Sequence, residues 1–246
     1  LVDGKDVMLD KELSFNASPL LRSIAQDKNG VIWIGTTEGL FLINDPTKMF
    51  NDNFRVYRIK IPRNDGTGLA DYLLDTEEIK AIAVDGANRK WIGTASSGVY
   101  LVSEDGLETI HHFTSENSPL LSNAIQSIAI HEKTGEVFIG TGNGLISYQS
   151  DAIEGGDRFQ NVRAYPNPVR PEYTGLITIT GLITDTQIRI TDINGNLIYE
   201  TQSNGGVATW DGCNNSGSPV VSGVYFAHCL SNDGKQKHIT KILIIR

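Results

Sequence analysis

Cysteine is nearly absent. The 246 residues hold two, Cys213 and Cys229, too few for a disulfide framework or a cysteine-rich zinc site. They leave the compartment undecided and two readings open. One is a bridge between a loop and a strand, contributing ~3 kcal/mol if the geometry allows; the other is a pair of free thiols. Long apolar runs are also lacking, so no membrane span of about 18 residues is expected. There is no low-complexity tract and no basic stripe. The net charge is −8, and the acidity lies in the first part of the chain. Residues 1 to 159 carry 14 Lys and Arg against 23 Asp and Glu, and residues 160 to 246 carry 7 against 6. An acidic surface repels phosphate backbones, which argues against nucleic acid and against anionic bilayers.

Catalytic signatures are absent as well. No G-x-S-x-G elbow and no H-E-x-x-H helix occurs, and Glu77-Glu78 stands beside an expected strand with no partner base in view. His111 and His112 are adjacent, so a strand points them to opposite faces, and His131, His228 and His238 are scattered. No metal site and no cofactor is expected. Asp27-Lys28-Asn29-Gly30, Asp192-Ile193-Asn194-Gly195 and Asp211-Gly212 suggest calcium loops at first sight, but none has the full EF-hand spacing. Turn chemistry accounts for them. No ligand-binding residue is marked.

What is there is glycine, 25 residues of it, set with Asn, Asp and Ser between short β-branched runs. That is the punctuation of an all-β chain. Sliding the sequence against itself gives three copies of one unit, at residues 18–43, 77–102 and 118–148. The anchors are Ile24-Ala25, Ile82-Ala83 and Ile128-Ala129, then Trp33-Ile34-Gly35-Thr36, Trp91-Ile92-Gly93-Thr94 and Phe138-Ile139-Gly140-Thr141. Trp33, Trp91 and Phe138 are therefore equivalent. Repetition makes them core positions between units rather than a carbohydrate-stacking face, with Gly35, Gly93 and Gly140 as the matching glycines.

Each copy reads as three strands joined by two tight turns. A fourth, outer strand is expected at Phe54 to Ile59 in the first copy and Glu108 to Phe113 in the second. Residues 45–75 would hold an extended outer loop, and residues 1–17 the outer strand of a preceding unit. This is a β-propeller pattern of about three four-stranded blades plus a fraction. A closed ring needs about four to eight. We therefore expect a piece of a longer polypeptide whose upstream blades pack on the exposed faces. A start at Leu1 with no signal peptide suggests a processed or truncated product.

The motif SPL...IxSIAxDxxGxxWIGTxxGL resembles the two-component-regulator propeller repeat of Bacteroidetes surface sensors. The resemblance implies recognition of a ligand or protein, without specifying which.

After Gln149 the repeat stops. Residues 150–163 read as an irregular charged link, and AYPNPVRPEYTG, with Pro166, Pro168 and Pro171, as a stiff connector. Six short strands follow, at 176–180, 187–192, 197–201, 207–210, 224–230 and 239–245, which suggests a β-sandwich over residues 160–246. Trp210 and Tyr225 are its expected core aromatics, and residues 1–159 are the expected propeller part.

The order PNP...IRITDxNGNLIYE...WDGxNxxGxxVxSGVYF...KILIIR resembles the terminal domains of type IX secretion cargo and the immunoglobulin-like domain of flagellar hook-capping proteins. Repeats and tail together are similar to the PorZ-like family. The resemblance implies a non-catalytic protein on the outer-membrane surface or secreted, whose partners are proteins of a secretion or anchoring complex and a glycolipid such as anionic lipopolysaccharide. A periplasmic sensory propeller of a two-component system is the alternative, and a propeller-based carbohydrate enzyme a more distant one.

Overall fold

The computed structural model describes residues 19–51, 54–63 and 65–246. The outer strand expected within residues 1–17 lies outside them. Among the described residues, every regular element is a strand apart from one 3-10 turn at Pro46–Lys48.

The first unit contains the repeats. Its first blade is β1 (Leu21–Gln26), β2 (Ile32–Thr36) and β3 (Gly39–Ile43). The stretch expected as its outer strand makes only one bridge, Leu42 to Tyr57. The long loop carries a hairpin of its own, β4 (Lys60–Pro62) with β5 (Ala70–Tyr72). The second blade has four strands, β6 (Ile79–Val84), β7 (Lys90–Thr94), β8 (Val99–Val102) and β9 (Thr109–Phe113). The third has β10 (Ile125–His131), β11 (Glu136–Thr141) and β12 (Gly144–Gln149).

The repeated letters have repeated jobs. Each first strand slips register at the same place, between Leu21 and Ser23, Ile79 and Ala81, Ile125 and Ser127. The Gly-Thr anchor closes the second turn. Thr36, Thr94 and Thr141 donate through their hydroxyls to the carbonyls of Gly39, Gly98 and Gly144 at 3.0, 3.0 and 2.9 Å. Those three glycines have φ of +93°, +79° and +133°, a region other residues rarely enter.

Side chains alternate between the two faces of a blade. Trp33, Leu40 and Leu42 of the first blade form one core with Ile79, Ile92 and Val102 of the second. Trp91, Val99 and Leu101 of the second repeat that arrangement with Ile125, Val137 and Ile139 of the third. On the opposite side of the first blade, Ile34, Phe41 and Ile43 are covered by Met49, Phe54 and Val56.

The second unit holds Gln149–Arg246 with the short turns Asp85–Ala87 and Glu132–Gly135. Its strands are β13 (Arg163–Tyr165), β14 (Ile177–Thr180), β15 (Gln187–Thr191), β16 (Leu197–Gln202), β17 (Val207–Trp210), β18 (Gly223–Leu230) and β19 (Lys237–Ile244). They make two sheets, β13-β14-β17 and β16-β15-β18-β19. Trp210, Tyr225, Ile179, Ile188 and Ile190 lie in the core between them.

The proline segment differs from its expected role as a connector. Arg163–Tyr165 is a strand paired with β14, and the next residues cover the outer edge of β19. The Asn167 side chain accepts from Leu243 N at 2.9 Å and donates to Lys241 O at 2.8 Å. Val169 then exchanges backbone bonds with Leu243 and Ile245. Prolines cannot supply ladder donors, but a carboxamide presents the same oxygen and N–H as a peptide. An edge left open would invite pairing with another chain.

Candidate functional site

Two features of the first unit stand out from its ordinary packing. The first is a buried polar cluster. Asp27 follows β1, and its Oδ1 accepts the backbone N–H groups of Asn29 and Val31, both at 3.0 Å. Its Oδ2 accepts the indole N–H of Trp33 at 3.0 Å and pairs with Lys90 Nζ at 2.9 Å. The Lys90 ammonium is fully buried. It also donates to the carbonyls of Asn88 and Glu104 at 2.8 and 2.6 Å, and lies 4.6 Å from the centre of the Trp33 ring. A buried cation survives only when paired and hydrogen-bonded in this way. Burial alone would raise the Asp27 pKa, but the Lys90 ammonium and the Trp33 indole outweigh it and hold the carboxyl below its ordinary value.

Beside the cluster opens a cleft of about 460 Å³, with Trp33 and Leu42 on its wall and Asn29, Asn44, Glu104 and Asp105 among its polar residues. Glu104 Oε1 accepts the side-chain amides of Asn29 and Asn88 at 2.7 and 3.0 Å. Trp33 shows no free ring face, so it offers no platform for a sugar. Lys90 escaped the sequence reading. The signal was available: the equivalent positions before Trp33 and Phe138 are Ile32 and Val137, so a lysine there is a charge where the repeat is apolar.

The second feature is the repeated glycine. A Cβ on Gly35 would lie 2.6 Å from Ile79 Cγ2, and one on Gly93 2.4 Å from Ile125 Cγ2. Each glycine is the hollow that receives the first strand of the next blade. At Gly140 the three atoms nearest to such a Cβ all belong to Ser127 of its own blade.

Trp33, Trp91 and Trp210 are buried, and Phe138 is half-buried. Tyr225 is buried and meets Trp210 edge-on, with ring centres 5.6 Å apart. Trp210 Nε1 donates to Cys213 O at 2.6 Å. Both cysteines are free, and burial pushes the Cys229 thiol up to about 12. His111 and His112 stand side by side on β9, opposite Leu101 and Tyr100. Among the described residues no group of three or more His, Cys, Asp or Glu side chains could hold a metal ion. Asp192 is used as a turn cap, taking the N–H groups of Asn194 and Asn196 at 2.8 and 2.9 Å.

In the second unit, one face of the β18-β19 pair is not covered within that sheet. Tyr225, Ala227 and Cys229 point inward and are buried, while Val224, Phe226, His228 and Leu230 alternate with them. Across the ladder these four stand opposite Leu243, Lys241, Ile239 and Lys237. The surface is thus apolar with lysines along it, and Leu230, Ile239 and Leu243 are exposed.

Comparison with known proteins places both units. Residues 163–246 match the family described as secretion system C-terminal sorting domain, and residues 14–38 match the two component regulator propeller. The chain is similar to the solved structure of PorZ, an essential bacterial surface component of the type IX secretion system of Porphyromonas gingivalis. The identity is 34% with a TM-score of 0.63, over 92% of this chain and 30% of that one. The chain is PorZ-like. It combines a partial propeller of three blades with an immunoglobulin-like terminal domain, and spans under a third of the PorZ chain it matches. The extracellular domain of a putative hybrid two component system from B. thetaiotaomicron matches at 17% identity and a TM-score of 0.43, over 95% of this chain and 45% of that one, too distant to bear on function. No curated protein matches the chain.

Proposed function

We propose that this PorZ-like chain is a non-catalytic part of a type IX secretion or cargo-attachment assembly, on the bacterial outer surface or secreted. The carrying observation is one chain with PorZ similarity over 92% of its length and a sorting-domain match at residues 163–246. Residues 1–159 are the C-terminal part of a propeller that recognises a protein or glycolipid, and residues 160–246 dock on the machinery. The lysine-bearing apolar face of β18 and β19 is the docking surface, and its partner is a protein surface with apolar and acidic groups.

The propeller repeat by itself fits the ectodomain of a two-component sensor equally well. The sorting-domain match favours secretion. Removing residues 160–246 tests the reading: surface localisation is expected to be lost, and unchanged localisation and partner cross-linking would refute the docking role.

A further inference from the structure

The cleft beside the Asp27 cluster lies at the contact of the first two blades, both within the first unit. Its volume of about 460 Å³ falls in the range of about 300–1,000 Å³ usual for ligand sites. The packing around it leaves two carboxylates oriented but uncompensated. Glu104 is held by Oε1 alone, between the side-chain amides of Asn29 from the first blade and Asn88 from the second, at 2.7 and 3.0 Å. Asp105 is held by Oδ1 alone, which accepts the Leu107 N–H at 3.0 Å and the Ser103 hydroxyl at 2.7 Å. Those two bonds keep the Asp105 carboxyl below its ordinary range. The second oxygen of each carboxylate accepts nothing among the described residues.

Charge at the cleft does not cancel. Asp27 on its wall is neutralised by Lys90 at 2.9 Å, whereas neither Glu104 nor Asp105 is in an ion pair among the described residues. This part of the chain is acidic throughout, residues 1 to 159 carrying 14 Lys and Arg against 23 Asp and Glu. Such a field draws cations and repels phosphate groups. A bare metal ion is a poor fit, since calcium takes about six to eight oxygens and no group of three or more His, Cys, Asp or Glu side chains stands together among the described residues. A sugar is a poor fit too, because Trp33 is 1% exposed and shows no ring face. What remains is an organic cation, with Leu42 and Trp33 as an apolar wall beside the two carboxylates.

We infer that the cleft binds a lysine or arginine side chain of a partner protein, its head group on the free oxygens of Glu104 and Asp105 and its stem along Leu42 and Trp33. The inference rests on the reading of the propeller part as a recognition module and names the chemistry recognised. An ammonium brings three donors and a guanidinium five, enough to meet both free oxygens at once. Long basic side chains lay their methylene stems on apolar surface in this way while the head stays polar. Asn29 has Ala87 and Thr134 as its equivalents in the other two copies, so the amide that orients Glu104 belongs to this blade contact and not to the repeat.

The test is an NMR titration of the isotope-labelled 246-residue chain with acetyl-Ala-Lys-Ala-amide and acetyl-Ala-Arg-Ala-amide. The matching norleucine peptide and maltose are the uncharged controls. Saturable shifts of the Asn29 and Glu104 amides are expected with the basic peptides, at a Kd of about 1–10 mM, weakening as salt is raised. Glu104→Gln and Asp105→Asn keep the turn bonds and remove the charges. Each is expected to weaken binding about three- to fivefold, with signals away from the cleft unmoved. No shift up to about 50 mM peptide, equal shifts with the norleucine peptide or maltose, or unaltered binding in the variants overturns the inference. If one variant does not fold, the other and the salt dependence decide. The titration does not depend on where the protein sits in the cell, so its failure is distinguishable from failure of the secretion reading.

Discussion

Asp27 accepts the indole N–H of Trp33 at 3.0 Å through the same oxygen that holds the buried Lys90 ammonium. One carboxylate therefore fixes the first turn of its blade, orients the aromatic at the blade contact and neutralises a cation from the next blade. In the first copy the Asp and Trp of the motif are thus a bonded pair, six positions apart in sequence.

Asp27→Ala leaves the Lys90 ammonium buried without its counter-ion, and a broken buried pair costs about 3–5 kcal/mol. The expected result is a drop of that size in the stability of the first unit, read by denaturant unfolding with tryptophan fluorescence. Lys90→Met on the Asp27→Ala background is expected to recover part of it, because an apolar side chain of similar length then fills a site with no charge to satisfy.

Acid is expected to loosen the first unit through the carboxylates that the fold holds ionised below their ordinary range. The Asp27 pKa is depressed in the fold, below the ordinary value of 3.8. Its contribution is fully present above that value and is lost as pH falls through the lower folded value. Glu116 acts in the same direction, held down to about 2 by the side chains of Thr114, Asn123 and Ser115. A fluorescence titration is expected to show unfolding beginning below about pH 4. Asp27→Asn is expected to flatten that dependence, and an unaltered profile would count against the role given to Asp27.

Asn167→Ala removes both bonds that the carboxamide makes to the edge of β19. A loss of about 1–2 kcal/mol is expected, together with faster hydrogen exchange at the Leu243 amide. Unchanged exchange there would show that Val169 alone covers the edge.

How far the sequence foretold this follows from what each device leaves in the letters. The blades were legible because Gly-Thr and the aromatic before it recur with their contacts, and each recurrence has a bond or a hollow behind it. The sandwich strands were legible from alternation, as in β15 and β18, where every second residue is buried. The edge cover at Asn167 was not, because prolines read as the end of pairing, while the pairing is supplied by a side chain. Lys90 was not singled out, because its partners come from sequence-distant Asp27 and Glu104. The end of the third blade at Gln149 was legible, because the repeat stops there and a charged link follows.

The central claim is that the terminal domain ties a propeller to the secretion machinery at the cell surface. The direct measurement compares the intact protein with one lacking residues 160–246 in a bacterium that has type IX secretion, by surface biotinylation of whole cells and cross-linking to neighbouring proteins. Surface signal and cross-links are expected for the intact protein and loss of both for the truncated one. Equal labelling and the same cross-links in both would contradict the account.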